Sequence, residues 1–233
     1  TKRATNRATK RAAKRATERA TPRATERTTQ RATERATKRA TQRAAKRATR
    51  RATDRATKRT AGRALVLFTS YANLYGVRDI VVEAGLDFPL LVQGTAPRSV
   101  LLRYFRATPN AVLLATSSFW QGVDVAGDSL SCVIIDKLPF APPGDPITAA
   151  RMEAIAKLGG NPFDEYQVPL AILALLQGLG RLIRHRKDRG VLSILDPRIR
   201  TKGYGRRFLA ALPPTPIVRT IGQVEQFLAR KGV

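Results

Sequence analysis

Arginine recurs at every fourth position from Arg3 to Arg63, in the unit Arg-Ala-Thr-x, and the first 63 residues contain no valine, leucine, isoleucine, methionine or aromatic residue. A segment of that composition has no apolar side chain large enough to offset the cost of ordering it, about 1–2 kcal/mol per residue for the backbone alone. The expectation for residues 1–63 is a low-complexity basic tail, disordered or at most a lone solvated helix. As a helix, its arginine row would wind around the axis, because each four-residue step overshoots a full turn by about 40°. Pro22 is expected to interrupt it.

Charge divides the chain in the same way. The 233 residues carry a formal +26; residues 1–63 hold 23 basic and 4 acidic side chains, leaving 20 and 13 for residues 64–233. A regular arginine tract points to nucleic acid, since each phosphate neutralised releases counterions and adds affinity without sequence preference. A perfect four-residue period equally matches translated tandem-repeat DNA with no selected role. The chain starts at Thr1 and its one methionine is Met152, so a fragment, or a frame opened upstream of a normal start, is expected. One cysteine, Cys132 in "SCVII", is expected in the core and excludes a disulfide framework or a four-thiolate cluster built from this chain alone. No apolar run reaches the roughly 18 residues of a membrane span, and no signal peptide is visible, so a cytoplasmic protein without membrane contact is expected.

From residue 64 the pattern changes. "ALVLF" (64–68), "PLLVQ" (89–93), "AVLLA" (111–115), "SCVIID" (131–136) and "VLSILD" (191–196) are apolar runs of the kind buried on both faces of a sheet. Between them, "SYANLYGVRDIVVEAG", "PRSVLLRYFRATPN", "ITAARMEAIAKLGG" and "PLAILALLQGLGRLIR" carry helical spacing. Alternating strands and helices predict one α/β domain over 64–233, a mainly parallel sheet with helices on both faces. Ligands bind such sheets at the strand carboxyl ends. Hydroxyls and a cation follow the runs there: Thr69 and Ser70, then Thr116, Ser117 and Ser118, then Lys137. They are suited to phosphate oxygens, and equally to capping the next helix.

On the last of these helices Gln177, Arg181 and Arg184 stand at i, i+4 and i+7, one face, while Leu179, Leu182 and Ile183 are placed to meet the sheet. The face is either a phosphate grip aimed past the strand ends or a solvated surface.

Three stretches in series, "ALVLFTSYANL", "TSSFWQGVDVAGDSLSCVIIDKLPFAPPGDP" and "QGLGRLIRHRKDRGVLSILDPR", resemble the second motor domain of the DinG-type ATP-dependent DNA helicases, in the XPD-like group of helicase superfamily 2. The resemblance runs from about residue 63 to 230 and implies a RecA-like fold. It implies that Arg181 and Arg184, with Gln177 beside them, reach ATP phosphates across an interdomain cleft; arginine fingers contribute on the order of 10³–10⁵ in rate. It places Gly122 and Asp124 at the nucleotide, and Thr69, Ser70, Thr116, Ser117 and Ser118 on the DNA backbone. Gln121 stands where many relatives carry Glu, so a role needing an anion there is not implied. The family activity is unwinding coupled to 5′ to 3′ translocation on single-stranded DNA, in DNA repair among other settings, with ATP and Mg2+ as cofactors and a monomer as the expected state. These residues contain no G-x-x-x-x-G-K-[ST] and no acidic pair after an apolar strand; Asp164-Glu165 precedes a helix. The chain alone is therefore expected to be inactive and to hold no iron–sulfur cluster. The alternatives are a non-enzymatic basic nucleic-acid binder and a gene remnant without function.

Overall fold

The computed structural model describes residues 2–59, 62–116, 119, 130–142, 144–180, 182–183, 189–218 and 220–229, with backbone alone for 2–29, 59, 221, 225, 228 and 229. Two compact units partition the chain, Thr1–Ala45 and Lys46–Val233.

A single helix, α1 (Lys2–Arg59), contributes to both. In the first unit the backbone stays helical through Pro22, contrary to the expected break. One proline removes one N–H, and the alanine, arginine, lysine and glutamate around it are among the strongest helix formers. Side chains 30–45 are exposed, as in the solvated helix that composition allows.

The second unit is built on five parallel strands, β1 (Ala64–Phe68), β2 (Leu90–Val92), β3 (Val112–Thr116), β4 (Cys132–Ile135) and β5 (Val191–Ile194), in the order β2-β3-β1-β4-β5. The helices are α2 (Tyr71–Glu83), α3 (Arg98–Ala107), α4 (Pro146–Lys157), α5 (Val168–Leu179), α6 (Arg198–Thr201), α7 (Gly205–Ala211) and α8 (Ile221–Ala229). Strands fall within a residue or two of the apolar runs that predict them, β1 matching its run and β3 lying one residue later. The pleat sends Leu65, Leu67, Leu113, Ala115, Val133 and Ile135 toward α3, α5 and α7. Ala64, Val66, Phe68, Val112, Leu114, Cys132 and Ile134 go toward α2. The chain moves one way across the sheet from β1 to β2 and back from β2 to β3, and α2 and α3 accordingly lie on opposite faces, as consistent crossover handedness requires. Cys132 is buried, the core position expected.

The α2 face also receives the end of α1. Thr49, Thr53, Ala56 and Thr57 are buried, and Ala56 packs with Val66, Phe68, Leu74 and Ile134. Composition places residues 46–63 in the tail; the compact unit takes them in from Lys46. The threonine row at four-residue spacing turns only about 80° over Thr49, Thr53 and Thr57, so it stays against the sheet for that distance. Large apolar side chains are needed at this contact, but the sheet and α2 supply them. Thr57 Oγ1 donates to the Thr53 carbonyl (2.8 Å) and Thr49 Oγ1 to Asp136 Oδ1 (2.7 Å), whereas the Thr53 hydroxyl is buried without a partner. Thr53→Val keeps the shape and removes the unsatisfied group, so it is expected to raise stability by about 1 kcal/mol in urea unfolding. A decrease would mean the hydroxyl has a partner.

Candidate functional site

Strand β1 sends its connection toward β2, and its neighbour β4 sends its own toward β5. The loops after β1 and β4 diverge at the carboxyl edge, the position where open parallel sheets bind ligands. Thr69 and Ser70 follow β1, Asp136 and Lys137 follow β4, and Thr116 ends β3 in register with Phe68.

Ser70 has extended backbone (φ −154°, ψ 150°) and caps α2, its Oγ accepting from Asn73 N–H at 3.3 Å. A hydroxyl that accepts at its oxygen still has its proton to donate. Ser70 is exposed, and Thr69 beside it is half-buried. Thr116 differs. It is buried, and both its N–H and its Oγ1–H donate to Gln93 Oε1, at 2.6 and 3.0 Å. Its one hydroxyl proton is committed inward, so among the described residues the hydroxyls presented at this edge are those of Thr69 and Ser70.

Gln93 ties three elements together. Besides holding Thr116 it donates from Nε2 to the Tyr71 hydroxyl at 2.6 Å, at the first turn of α2. A lone amide closing the apolar run "PLLVQ" is the sequence signal that was available for it. Asp136, also buried, accepts from Thr49 Oγ1 and from Asn73 Nδ2 (3.2 Å), joining the ends of β4 and α1 to α2. Lys137 is exposed next to it.

The loop that carries Lys137 is fixed from the far side. Leu138 N–H donates to Asp196 Oδ2 (2.9 Å), and Asp196 is gripped by Arg198 through Nε (3.0 Å) and a guanidinium N–H (2.6 Å). Burial works to raise the Asp196 pKa, but the hydrogen bonds from Arg198 and the Leu138 N–H outweigh it and hold the carboxyl below its ordinary value; the same pairing raises Arg198. At the start of α4 the Asp145 side chain accepts from Thr148, which lowers its pKa and caps the helix.

Gln177 lies elsewhere. Helix α5 ends at Leu179 with Gly180 as its cap, short of the 169–184 span expected, and a further turn returns the Leu182 and Ile183 N–H groups to the Leu179 carbonyl. Glycines 178 and 180 each cost a helix about 1 kcal/mol relative to alanine, which favours termination here. Leu179 and Leu182 are buried as expected, but Ile183 is 40% exposed. Leu182 packs against Gly190, just before β5. The end of α5 therefore sits at the beginning of β5 and not past the strand carboxyl ends, and exposed Gln177 is separate from the Ser70 edge. Arg181, Arg184, Ser117, Ser118, Gln121, Gly122 and Asp124 lie outside the described residues. Among the described residues no three His, Cys, Asp or Glu side chains converge as metal ligands. No described helix is long and apolar enough to cross a membrane.

Residues 53–215 match the family model described as helicase C-terminal domain. The chain belongs to that family. The match begins at Thr53, inside the repeat and within the buried threonine row. The chain is 51% identical over 170 residues to the ATP-dependent DNA helicase YoaA of Escherichia coli (strain K12), covering 72% of this chain and 26% of that protein. It is 42% identical over 172 residues to the 3'-5' exonuclease DinG of Bacillus subtilis (strain 168), covering 72% and 18%, and 43% identical over 169 residues to the ATP-dependent helicase DinG of Mycobacterium tuberculosis (strain ATCC 25618 / H37Rv), covering 72% and 25%. The chain thus spans about a quarter or less of the length of these relatives. In fold it is similar to S. cerevisiae Dbp5 bound to RNA and ADP BeF3, with TM-score 0.52 and 12% identity over 79% of this chain and 42% of that one. The parallel sheet and flanking helices agree with a RecA-like α/β domain.

Proposed function

We propose that this helicase C-terminal domain is the second half of an ATP-dependent DNA motor, contributing one nucleic-acid edge and one set of nucleotide-sensing arginines to a site completed by a phosphate-loop domain. The observation that carries the reading is the exposed Ser70 hydroxyl at the α2 N-terminus, beside Thr69, in the crevice between β1 and β4. Its proton and the Tyr71 and Ala72 N–H groups are donors matched to a phosphodiester, and the helix dipole favours the negative charge. Thr116 supports this edge from beneath through Gln93, and the resemblance assigns Ser117 and Ser118 to the DNA backbone as well. By the motif resemblance, Gln177, Arg181 and Arg184 in "QGLGRLIR", with Gly122 and Asp124, serve the nucleotide. When ATP is bound, its γ-phosphate supplies the phosphoryl group transferred to water; Arg181 and Arg184 neutralise its developing charge, and the partner domain holds Mg2+. The similarity to relatives named as ATP-dependent helicases supports ATP-dependent unwinding; 5′ to 3′ movement along single-stranded DNA is what the motif resemblance implies.

An ATPase assay with single-stranded DNA tests the division of labour. The 233-residue chain is expected to show no stimulated turnover; robust turnover abolished by Arg181→Ala would show that these residues contain their own phosphate-binding device. Ser70→Ala is expected to weaken single-stranded DNA binding several-fold and to cost about 1 kcal/mol of stability through loss of the cap. Unchanged binding in that variant would remove the Ser70 edge from the reading.

A second reading follows from the exposed arginine row Arg31, Arg35, Arg39 and Arg43: the repeat is a salt-sensitive nucleic-acid binder in its own right. Deleting residues 1–45 discriminates the two, because residues 46–59 belong to the packed unit and their removal would also disturb the sheet. Retention of most binding at moderate salt favours the motor edge; near-complete loss favours the repeat.

A further inference from the structure

We propose that the ring of Tyr71 is a stacking platform for a base of single-stranded nucleic acid, and that Gln93 is the residue that sets its angle. The proposal rests on the nucleic-acid reading of the Ser70 edge and adds a base contact to a surface otherwise argued from phosphate contacts.

Tyr71 opens α2 directly after Ser70 and is 47% exposed. A surface tyrosine ordinarily samples several rotamers. This one is pinned at its hydroxyl by Gln93 Nε2 (2.6 Å), and Gln93 is only 8% exposed, with Oε1 fixed by the Thr116 N–H and hydroxyl. Behind Tyr71, at i+4, Tyr75 stacks with ring centroids 5.9 Å apart and planes 29° from parallel. At i+7, the Arg78 guanidinium lies 4.9 Å from the Tyr75 centroid and is itself held by Asp79. Tyr75 is thus engaged by Tyr71 and by Arg78, and Tyr71 is the ring with a face to offer. The entropy of fixing that ring is spent on folding, which leaves less to lose when a ligand arrives.

The occupant follows from what stands beside the ring. A phosphodiester at the Ser70 hydroxyl brings its own nucleoside to the next residue, Tyr71. Stacking a base on an aromatic side chain contributes about 1–3 kcal/mol and tolerates any sequence, because every base has a π-face. A duplex hides those faces between neighbouring pairs, so the platform selects single strands. Gln93 does not touch the base; it is a positioning residue.

The test compares a fluorescein-labelled oligo-dT with an abasic phosphodiester of the same length and charge, each titrated with the full 233-residue chain by anisotropy at one salt concentration. The repeat and the Ser70 hydroxyl meet the same phosphates in both, so the ratio of affinities isolates the base contact. Oligo-dT is expected to bind on the order of tenfold tighter. Tyr71→Leu should bring the ratio to unity with abasic binding unchanged. Tyr71→Phe and Gln93→Ala each keep the ring and remove the hydrogen bond that fixes it, so each should lower the ratio part of the way to unity. Equal binding of the two ligands by the wild-type chain, or a ratio that survives Tyr71→Leu, overturns the platform while the phosphate edge stands. Absence of binding to either ligand overturns the nucleic-acid reading and the platform with it.

Discussion

Phe208→Ala is expected to destabilise the second unit by about 3–5 kcal/mol, read as a shift in urea midpoint at unchanged slope. Phe208 on α7 is fully buried and lies edge-on to Phe140 (5.8 Å) and Tyr204 (6.3 Å). Phe140 in turn stacks on Phe163 (5.5 Å), in the π-helical turn Phe163–Gln167 that leads into α5. Removing the ring opens a cavity where four aromatic side chains join the loop after β4, α7 and the entry to α5, and rigid strands on one side cannot collapse into it. The loss also loosens α5, the helix that presents Gln177. A cost below about 1 kcal/mol would show that α7 is not part of the cooperative unit.

Asp196→Ala is expected to cost about 2–3 kcal/mol. Truncating one member of a fully buried ion pair costs about 3–5 kcal/mol, but the Arg198 side chain is 40% exposed and regains water, which lowers the figure. What remains is the buried Leu138 N–H left without its acceptor, about 1–3 kcal/mol, and the loosened stacking of Arg198 on Phe140, now 5.4 Å from its centroid. Asp196→Asn, which keeps one acceptor, should lose less. The pH dependence has a defined sign. The folded carboxyl titrates below its ordinary value of 3.8, so its contribution is complete above that pH and is lost as pH falls through the lower folded value. The wild-type chain should therefore lose more stability than Asp196→Ala does on acidification below about pH 4, measured by urea unfolding across that range. Parallel curves would mean the pair does not titrate with folding.

The site was less legible than the sheet. Five apolar runs bounded by glycine, proline and hydroxyl residues announce five strands; β1, β3 and β4 are buried on both faces as such runs predict, whereas β2 and β5, at the two edges of the sheet, are only partly buried. The hydroxyls after β1 were legible by the same logic, as strand ends that must turn into helices. Gln93, Asn73 and Asp136 were not, since each is a single polar residue whose partners lie on other elements. Thr116 looked equivalent to Ser70 in sequence; only Gln93 distinguishes them, by taking the threonine's proton. The i, i+4, i+7 spacing of Gln177, Arg181 and Arg184 suggested one helical face, but α5 stops at Leu179, where Gly178 and Gly180 weaken a helix that apolar spacing alone would extend.

The amino-acid sequence by itself determined a charged repeat without large apolar residues, a parallel α/β domain after it, and the order of motifs that places the chain among helicase C-terminal domains. The first two are properties of local composition and periodicity, whereas the last rests on the resemblance of the motifs. Tertiary structure decided that the last turns of the repeat belong to the domain, since Val66, Phe68, Leu74 and Ile134 supply the apolar bulk that Thr49, Thr53, Ala56 and Thr57 lack. It decided likewise which hydroxyl faces outward and which tyrosine is held still, because a hydrogen bond between distant residues has no signature in either residue alone.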